Sequence, residues 1–310
     1  MTSSILDFLH APRHADASEP FDDNLHDLPC LPLSCGGSHA AIARQGAQVL
    51  SWQDARGRER LYLSPQTGGA RRGAAWADTA LAQPIRGGIP ISFPQFSVRG
   101  PLPKHGFARA VPWTAQAVSA NSFPEQSCIA TFALRDDART RAVWPQPFAA
   151  QLSVVLAPDR LALTLTVTNT GEAPWSFTGA LHTYLRIGDV ARTELIGLQD
   201  TRYQDNTADN AEAMDGQPAI RVAGEIDRVY LSPPKSLQLH EDGRRTLLIE
   251  QTGFEDTVVW NPGPVLARGF KDFPDDDWRR MLCVEAACAA HPVLVQPGAT
   301  WTGSQILTAA

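Results

Sequence analysis

The sequence is poor in the features that mark several large protein classes. Its five cysteines (Cys30, Cys35, Cys128, Cys283 and Cys288) are odd in number, and no two stand in Cys-x-x-Cys spacing. A disulfide framework and a cysteine zinc site are therefore not expected, and buried or incidental thiols in a reducing compartment, the cytoplasm, are the expectation. No apolar run reaches membrane-spanning length, and the start, MTSSILDFLHAPRHADASEP, has early acidic residues and no long apolar segment. Neither a signal peptide nor a membrane partner is expected. A nucleophile elbow, a Walker loop, a dinucleotide fingerprint and HExxH are all missing, and GGIP and TGGARRG lack the strand-to-helix setting of a nucleotide site. No repeat of fixed period occurs, which disfavours a propeller. Positive charge is in deficit: 27 Lys and Arg stand against 33 Asp and Glu, a formal net charge of −6. Nucleic acid is thus not expected as a partner, and an anionic small molecule would need a local basic pocket.

The chain does contain many short strand patterns. WTAQAVSA, CIATFALR, FAAQLSVVLAP, RLALTLTVTNT, WSFTGALHTYLRIG, DRVYLSP, RTLLIEQ, DTVVWNP, RRMLCVEAA and TWTGSQILT follow one another with turn residues between them. Leu161, Leu163, Leu165 and Val167 alternate with Thr164, Thr166 and Thr168, the period of a half-buried antiparallel strand. AAIAR, QVLSW and RLYLS read as earlier strands. Helical patterns are sparse, so the fold class is all-β, a sandwich or a barrel. With 310 residues, 43% of them hydrophobic, one large domain over 29–310 is expected. Residues 1–28 form a polar extension with little structure of its own.

One stretch resists any periodic reading: PIRGGIPISFPQFSVRGPLPKHGFARAVPW, Pro84 to Trp113. It concentrates Arg86, Arg99, Arg109, Lys104 and His105 among prolines that forbid a helix and glycines that permit unusual backbone angles. It reads as an ordered, irregular wall, or else as a proline-stiffened loop with a solvated basic edge. Two other residues are polar in apolar company. His182 lies in SFTGALHTYLRIG, where a strand should carry it, and is either a hydrogen-bonded core histidine or a catalyst. Glu285 lies in RRMLCVEAACAA. A carboxylate there is expensive to bury unless partnered, so it is either half of an ion pair with an arginine or a general base with a raised pKa. Asp227, at the start of DRVYLSP, could simply shape a turn. The acidic run Asp275, Asp276 and Asp277 reads as a solvated loop, without the spacing of a calcium site.

Taken in series, IRGGIPISFPQF, LPKHGFAR, LHTYLRI, GLQDTRYQD, GEIDRVY, VVWNP, DDWRRMLCVEAA and VQPGATWTGSQIL resemble the aldose 1-epimerase superfamily over residues 36 to 308. Within it they are most similar to the glucose-6-phosphate 1-epimerase (hexose-6-phosphate mutarotase) branch. The resemblance implies a galactose-mutarotase-like β-sandwich of large, twisted antiparallel sheets. It implies interconversion of the α and β anomers of a hexose 6-phosphate, with no cofactor and no metal. It further implies His182 as general acid, Glu285 as general base, His105 and Asp227 on the sugar hydroxyls, and Arg86, with Arg109 or Arg72, at the phosphate. Residues 65–83, which carry Arg71 and Arg72, are longer and richer in glycine than the family leads one to expect. Two other readings stay open: a mutarotase of unphosphorylated sugars, and a non-catalytic sugar-phosphate-binding module on the same sandwich. The oligomeric state is left undetermined by the sequence.

Overall fold

The structure, a computed structural model, describes residues 23–25, 28–67, 82–121 and 126–310. Among them the strands form three antiparallel sheets of four, eight and nine strands. Arg71 and Arg72 lie outside the described residues, as does most of the extension expected over 1–28. Of that extension, Asp23–Leu25 is a strand paired with Leu28–Cys35.

The nine-stranded sheet follows from simple alternation. In Arg160–Asn169, Leu161, Leu163, Leu165 and Val167 are all buried, as period two requires. This strand pairs with Phe148–Ala157 on one side and Thr300–Ala309 on the other. Its polar positions find cross-strand partners, Thr164 with Ser304 at 2.9 Å and Thr168 with Thr300 at 2.8 Å. The eight-stranded sheet centres on the long strand Met281–Val295, with Asp256–Asn261 on one edge and Trp175–Leu181 and Tyr184–Arg186 on the other. Every residue from Met281 to Ala289 is buried, so both faces of this strand are covered and its sequence reads as an almost unbroken apolar run. The principal hydrophobic cluster takes residues from all three sheets. Phe93 lies at its aromatic centre, with ring contacts to Phe107, Trp144, Phe148 and Phe177 at 5.3–6.3 Å. Among the described residues no helix is long and apolar enough to cross a membrane.

Two segments depart from the sequence reading. WSFTGALHTYLRIG is not one strand but two, interrupted at His182 and Thr183. There the backbone N–H of His182 donates to the Pro90 carbonyl (2.9 Å) and that of Tyr184 to Gly88 (2.9 Å), so the chain changes partners. RLYLS makes only isolated bridges, Leu61 to Leu185 and Leu63 to Gly87. Both departures lie beside the irregular wall, which takes ladder hydrogen bonds although only Ile91–Ser92 of it is a strand. Gly87 and Gly88 allow that approach. They have φ of +110° and +62°, and a Cβ on Gly88 would lie 2.1 Å from the Val49 carbonyl oxygen.

We expect Gly88→Ala to lower the urea unfolding midpoint, by well over ~1 kcal/mol in stability. Gly57→Ala should cost less. Gly57 also has a positive φ (+74°), but its Cβ would meet nothing within 4 Å. Equal losses would show that the close approach at Gly88 is not what demands glycine.

Candidate active site

The break after Leu181 places His182 against the middle of the long strand. Its Nδ1 stands 3.2 Å from Glu285 Oε1, with exposures of 6% for His182 and 1% for Glu285. The contact lacks hydrogen-bond geometry, and among the described residues neither His182 Nδ1 nor Glu285 Oε2, both buried, has a hydrogen-bond partner. Two unsatisfied polar atoms side by side in a core are costly, and such a site suits a polar ligand. Burial, reinforced by Asp227, pushes the Glu285 carboxyl well above its usual range. Burial, with Arg109 and Arg86 nearby, pulls the His182 imidazole well below its usual range. Both shifts favour a pair that holds a single proton and is electrically neutral overall. The His182 ring is fixed from the side by Tyr184, stacked at 4.7 Å, and edge-on by Trp260 at 6.2 Å.

His105 faces the same space, its ring 5.1 Å from that of His182. Its backbone lies in the left-handed region (φ +65°), which costs a residue other than glycine on the order of 1 kcal/mol. Hydrogen bonds on both sides hold it there, from its own N–H to the Ser97 carbonyl (2.9 Å) and from the Phe93 N–H to its carbonyl (3.2 Å). The Ser97 N–H also donates to His105 Nδ1 at 3.2 Å, and Ser92 Oγ lies 2.9 Å from the same atom. Since Nδ1 accepts, the ring's proton sits on Nε2. Burial, then Arg109 and His182, lowers the pKa well below its ordinary value, so the ring is a neutral hydrogen-bond donor.

Asp227 lies in the strand Ile226–Leu231 rather than in a turn, opposite Trp260. Burial raises its carboxyl pKa, against the pull of a 2.7 Å hydrogen bond from Asn206 Nδ2. The basic groups rim one side. Arg86 Nε donates to Asp272 Oδ1 at 2.9 Å, and its guanidinium lies 4.2 Å above the Phe270 ring. Arg109 Nη2 donates to the Lys104 carbonyl at 2.8 Å, while its buried Nε has no partner among the described residues. Together with Lys104 and Lys271, these groups and the two histidines, Glu285 and Asp227 line one cavity of about 680 Å³. The structure thus gathers His182, Glu285, His105, Asp227, Arg86 and Arg109 in one place. Arg72 lies outside the described residues.

The sequence reading missed Asn206, Tyr184, Trp260 and Lys271 as lining residues. Tyr184 carried a signal, since it lies two positions after His182. Asn206 carried none, because its partner Asp227 stands in a different strand. Cys283 Sγ, His182 and Glu285 offer donor atoms within 4.8 Å of one another, a possible foothold for a metal ion. Burial, with Glu285 beside it, pushes the Cys283 thiol well above its ordinary value, which opposes the thiolate that a metal would need.

Gln305 locks the two strands that carry the pair. Its Oε1 accepts from the Thr183 hydroxyl and its Nε2 donates to the Val284 carbonyl at 3.0 Å, so it ties the residue after His182 to the residue before Glu285. We expect Gln305→Leu to cost about 1–3 kcal/mol in urea unfolding, since it orphans two buried groups. Wild-type stability would show that this bridge does not hold the pair.

Comparison with known proteins places this geometry in context. Residues 29–308 match the family profile described as aldose 1-epimerase. A candidate glucose-6-phosphate 1-epimerase of Cenchrus ciliaris is 35% identical over 281 residues, covering 87% of this chain and 81% of that protein. One from Salmonella typhimurium is 32% identical over 271 residues, covering 86% of each. The crystal structure of a candidate mutarotase from Salmonella typhimurium superposes with a TM-score of 0.82 at 27% identity, covering 99% of each chain. The match over residues 29–308 takes in every lining residue named above, and on that ground the chain belongs to the aldose 1-epimerase family.

Proposed function

We propose that this protein interconverts the α and β anomers of a hexose 6-phosphate, glucose 6-phosphate first among them, by acid–base opening and closing of the sugar ring. Glu285 is the base at the anomeric hydroxyl and His182 the acid at the ring oxygen. As the bond from the anomeric carbon to the ring oxygen breaks, its electron pair goes to that oxygen, which takes the proton from His182. The hydroxyl proton passes to Glu285 and the anomeric carbon becomes an aldehyde. Rotation about one carbon–carbon bond and closure on the other face reverse both transfers. The pair carries one proton throughout: it crosses the 3.2 Å contact from Glu285, the member both shifts favour in the free site, to His182 before the ring opens, and opening returns it to the carboxyl. Each positioned transfer is worth roughly 10²–10⁴-fold.

The observation that carries this reading is the contact of His182 with Glu285 at 3.2 Å in a cavity rimmed by Arg86, Arg109, Lys104 and Lys271. A neutral sugar needs no such rim, whereas a phosphate dianion is suited to guanidinium and ammonium donors. His105, donating from Nε2, and Asp227, accepting, suit the sugar hydroxyls. The relatives named for glucose-6-phosphate epimerisation support the same substrate. A cytoplasmic location belongs to this proposal, on the strength of an odd number of cysteines with no Cys-x-x-Cys spacing.

Exchange NMR on glucose 6-phosphate and on glucose tests it. Glucose 6-phosphate should anomerise faster, and equal rates would favour a mutarotase of unphosphorylated sugars. Glu285→Gln and His182→Asn should each lower kcat by ~10²–10⁴ while the sugar phosphate still binds. Near-normal rates in both would overturn the assignment.

The pH dependence follows from the direction of the two shifts. A second proton must charge a histidine whose pKa is lowered well below 6.5, so the acid limb of kcat lies below the ordinary histidine range. The last proton leaves a carboxyl raised well above 4.5, so the pair keeps its proton past the usual carboxylate range. A kcat profile from acid to alkaline pH should show a plateau between those limbs. An acid limb centred at the ordinary histidine value would contradict it.

A further inference from the structure

Arg99 is a half-buried cation that, among the described residues, pairs with no carboxylate. Its Nη1 donates to Gln204 Oε1 (2.8 Å) and to the Ala289 carbonyl (3.3 Å), and its Nη2 to Asn206 Oδ1 (2.8 Å) and Asn210 Oδ1 (3.0 Å). All four acceptors are neutral. One of them leads to the cavity, because Asn206 donates from Nδ2 to Asp227 Oδ1 at 2.7 Å. The Asn206 amide therefore has one allowed orientation. Flipping it would set its NH₂ against the guanidinium and its oxygen against the carboxylate. The line runs cation, amide dipole, anion, and its far end is the acid that faces the sugar.

We propose that Arg99 is a positioning residue which, through the Asn206 amide, fixes the Asp227 carboxylate so that it accepts hydrogen bonds from the sugar hydroxyls. The identity of the sugar rests on the function proposed above; the relay itself does not. Arg99 belongs to the loop that also supplies Lys104 and His105, so this loop serves the substrate both directly and through Asn206. Three charged groups bear on Asp227: Lys104 and Arg99 favour its ionised form, while Glu225 opposes it; Asp227 in turn raises the Glu285 carboxyl.

Two readouts separate positioning from plain stability. In protein labelled with ¹³C at aspartate carboxyls, the Asp227 signal is identified by its loss in Asp227→Asn. Arg99→Gln should shift its titration upward. In exchange NMR, KM for glucose 6-phosphate should rise roughly tenfold, the worth of one charge-assisted hydrogen bond, with kcat changed far less. Asn206→Ala breaks the line from its other end and should reproduce both effects. The double variant should be no worse than either single one. Arg99→Lys, which keeps the charge and loses the fork, should recover the titration and only part of KM. An Asp227 titration and KM unchanged in both Arg99→Gln and Asn206→Ala would overturn the proposal, as would effects that multiply in the double variant. The titration requires no turnover. A wild-type protein inactive on glucose 6-phosphate would therefore refute the function proposed above, and the carboxyl shift would still decide the relay.

Discussion

The structure depends on the cost of burying Glu285. A carboxyl group at 1% exposure, in the middle of a strand covered on both faces, has an oxygen, Oε2, with no hydrogen-bond partner among the described residues. It lies against a histidine that is equally starved of partners. Each group by itself would resist carrying a charge there. Together they share one proton at small electrostatic expense, because the pair is neutral whichever member holds it. A reaction that removes one proton from a sugar and returns one to it asks for just this property. In the reaction proposed above, the unsatisfied atoms are not a defect of folding but the place where a polar substrate completes the network.

Holding such a pair in register requires a stiff frame. The long strand is locked to its neighbours along both edges, and Gln305 ties the two loaded segments together from behind. On the open side, the proline- and glycine-rich wall does what a regular strand cannot. With glycines where its backbone meets the Val49 and Tyr62 carbonyls, it places Arg86 and His105 in one cavity while still satisfying the backbone donors of the interrupted strand. His105 accepts a left-handed backbone there because its position, and its Nε2 proton, are set by bonds to Ser92 and Ser97.

Much of this was legible in the residues. The alternation of leucines and threonines in Arg160–Asn169 is sufficient to define a half-buried strand, and a lone glutamate in MLCVEAACA announces itself by its cost. The basic wall was visible in composition, and the resemblance pointed to His105 and Asp227, which both line the cavity. Other features were hidden, for two reasons. Strand ends shift where a neighbour is irregular, so the break at His182 and the loss of a strand in RLYLS could not be read locally. Residues such as Asn206, Arg99 and Gln305 matter only through partners far away in sequence. A polar residue in a polar stretch gives no sign that it bridges to another strand.

The account rests on His182 and Glu285 acting as one unit, and a double-mutant cycle on the anomerisation rate of glucose 6-phosphate measures that directly. If the pair shares the proton traffic, the variant carrying both His182→Asn and Glu285→Gln should be about as slow as the slower single variant, since either loss already breaks the exchange. Losses that multiply, leaving the double variant slower by the product of the two single effects, would mean that the two groups work independently and would contradict the account.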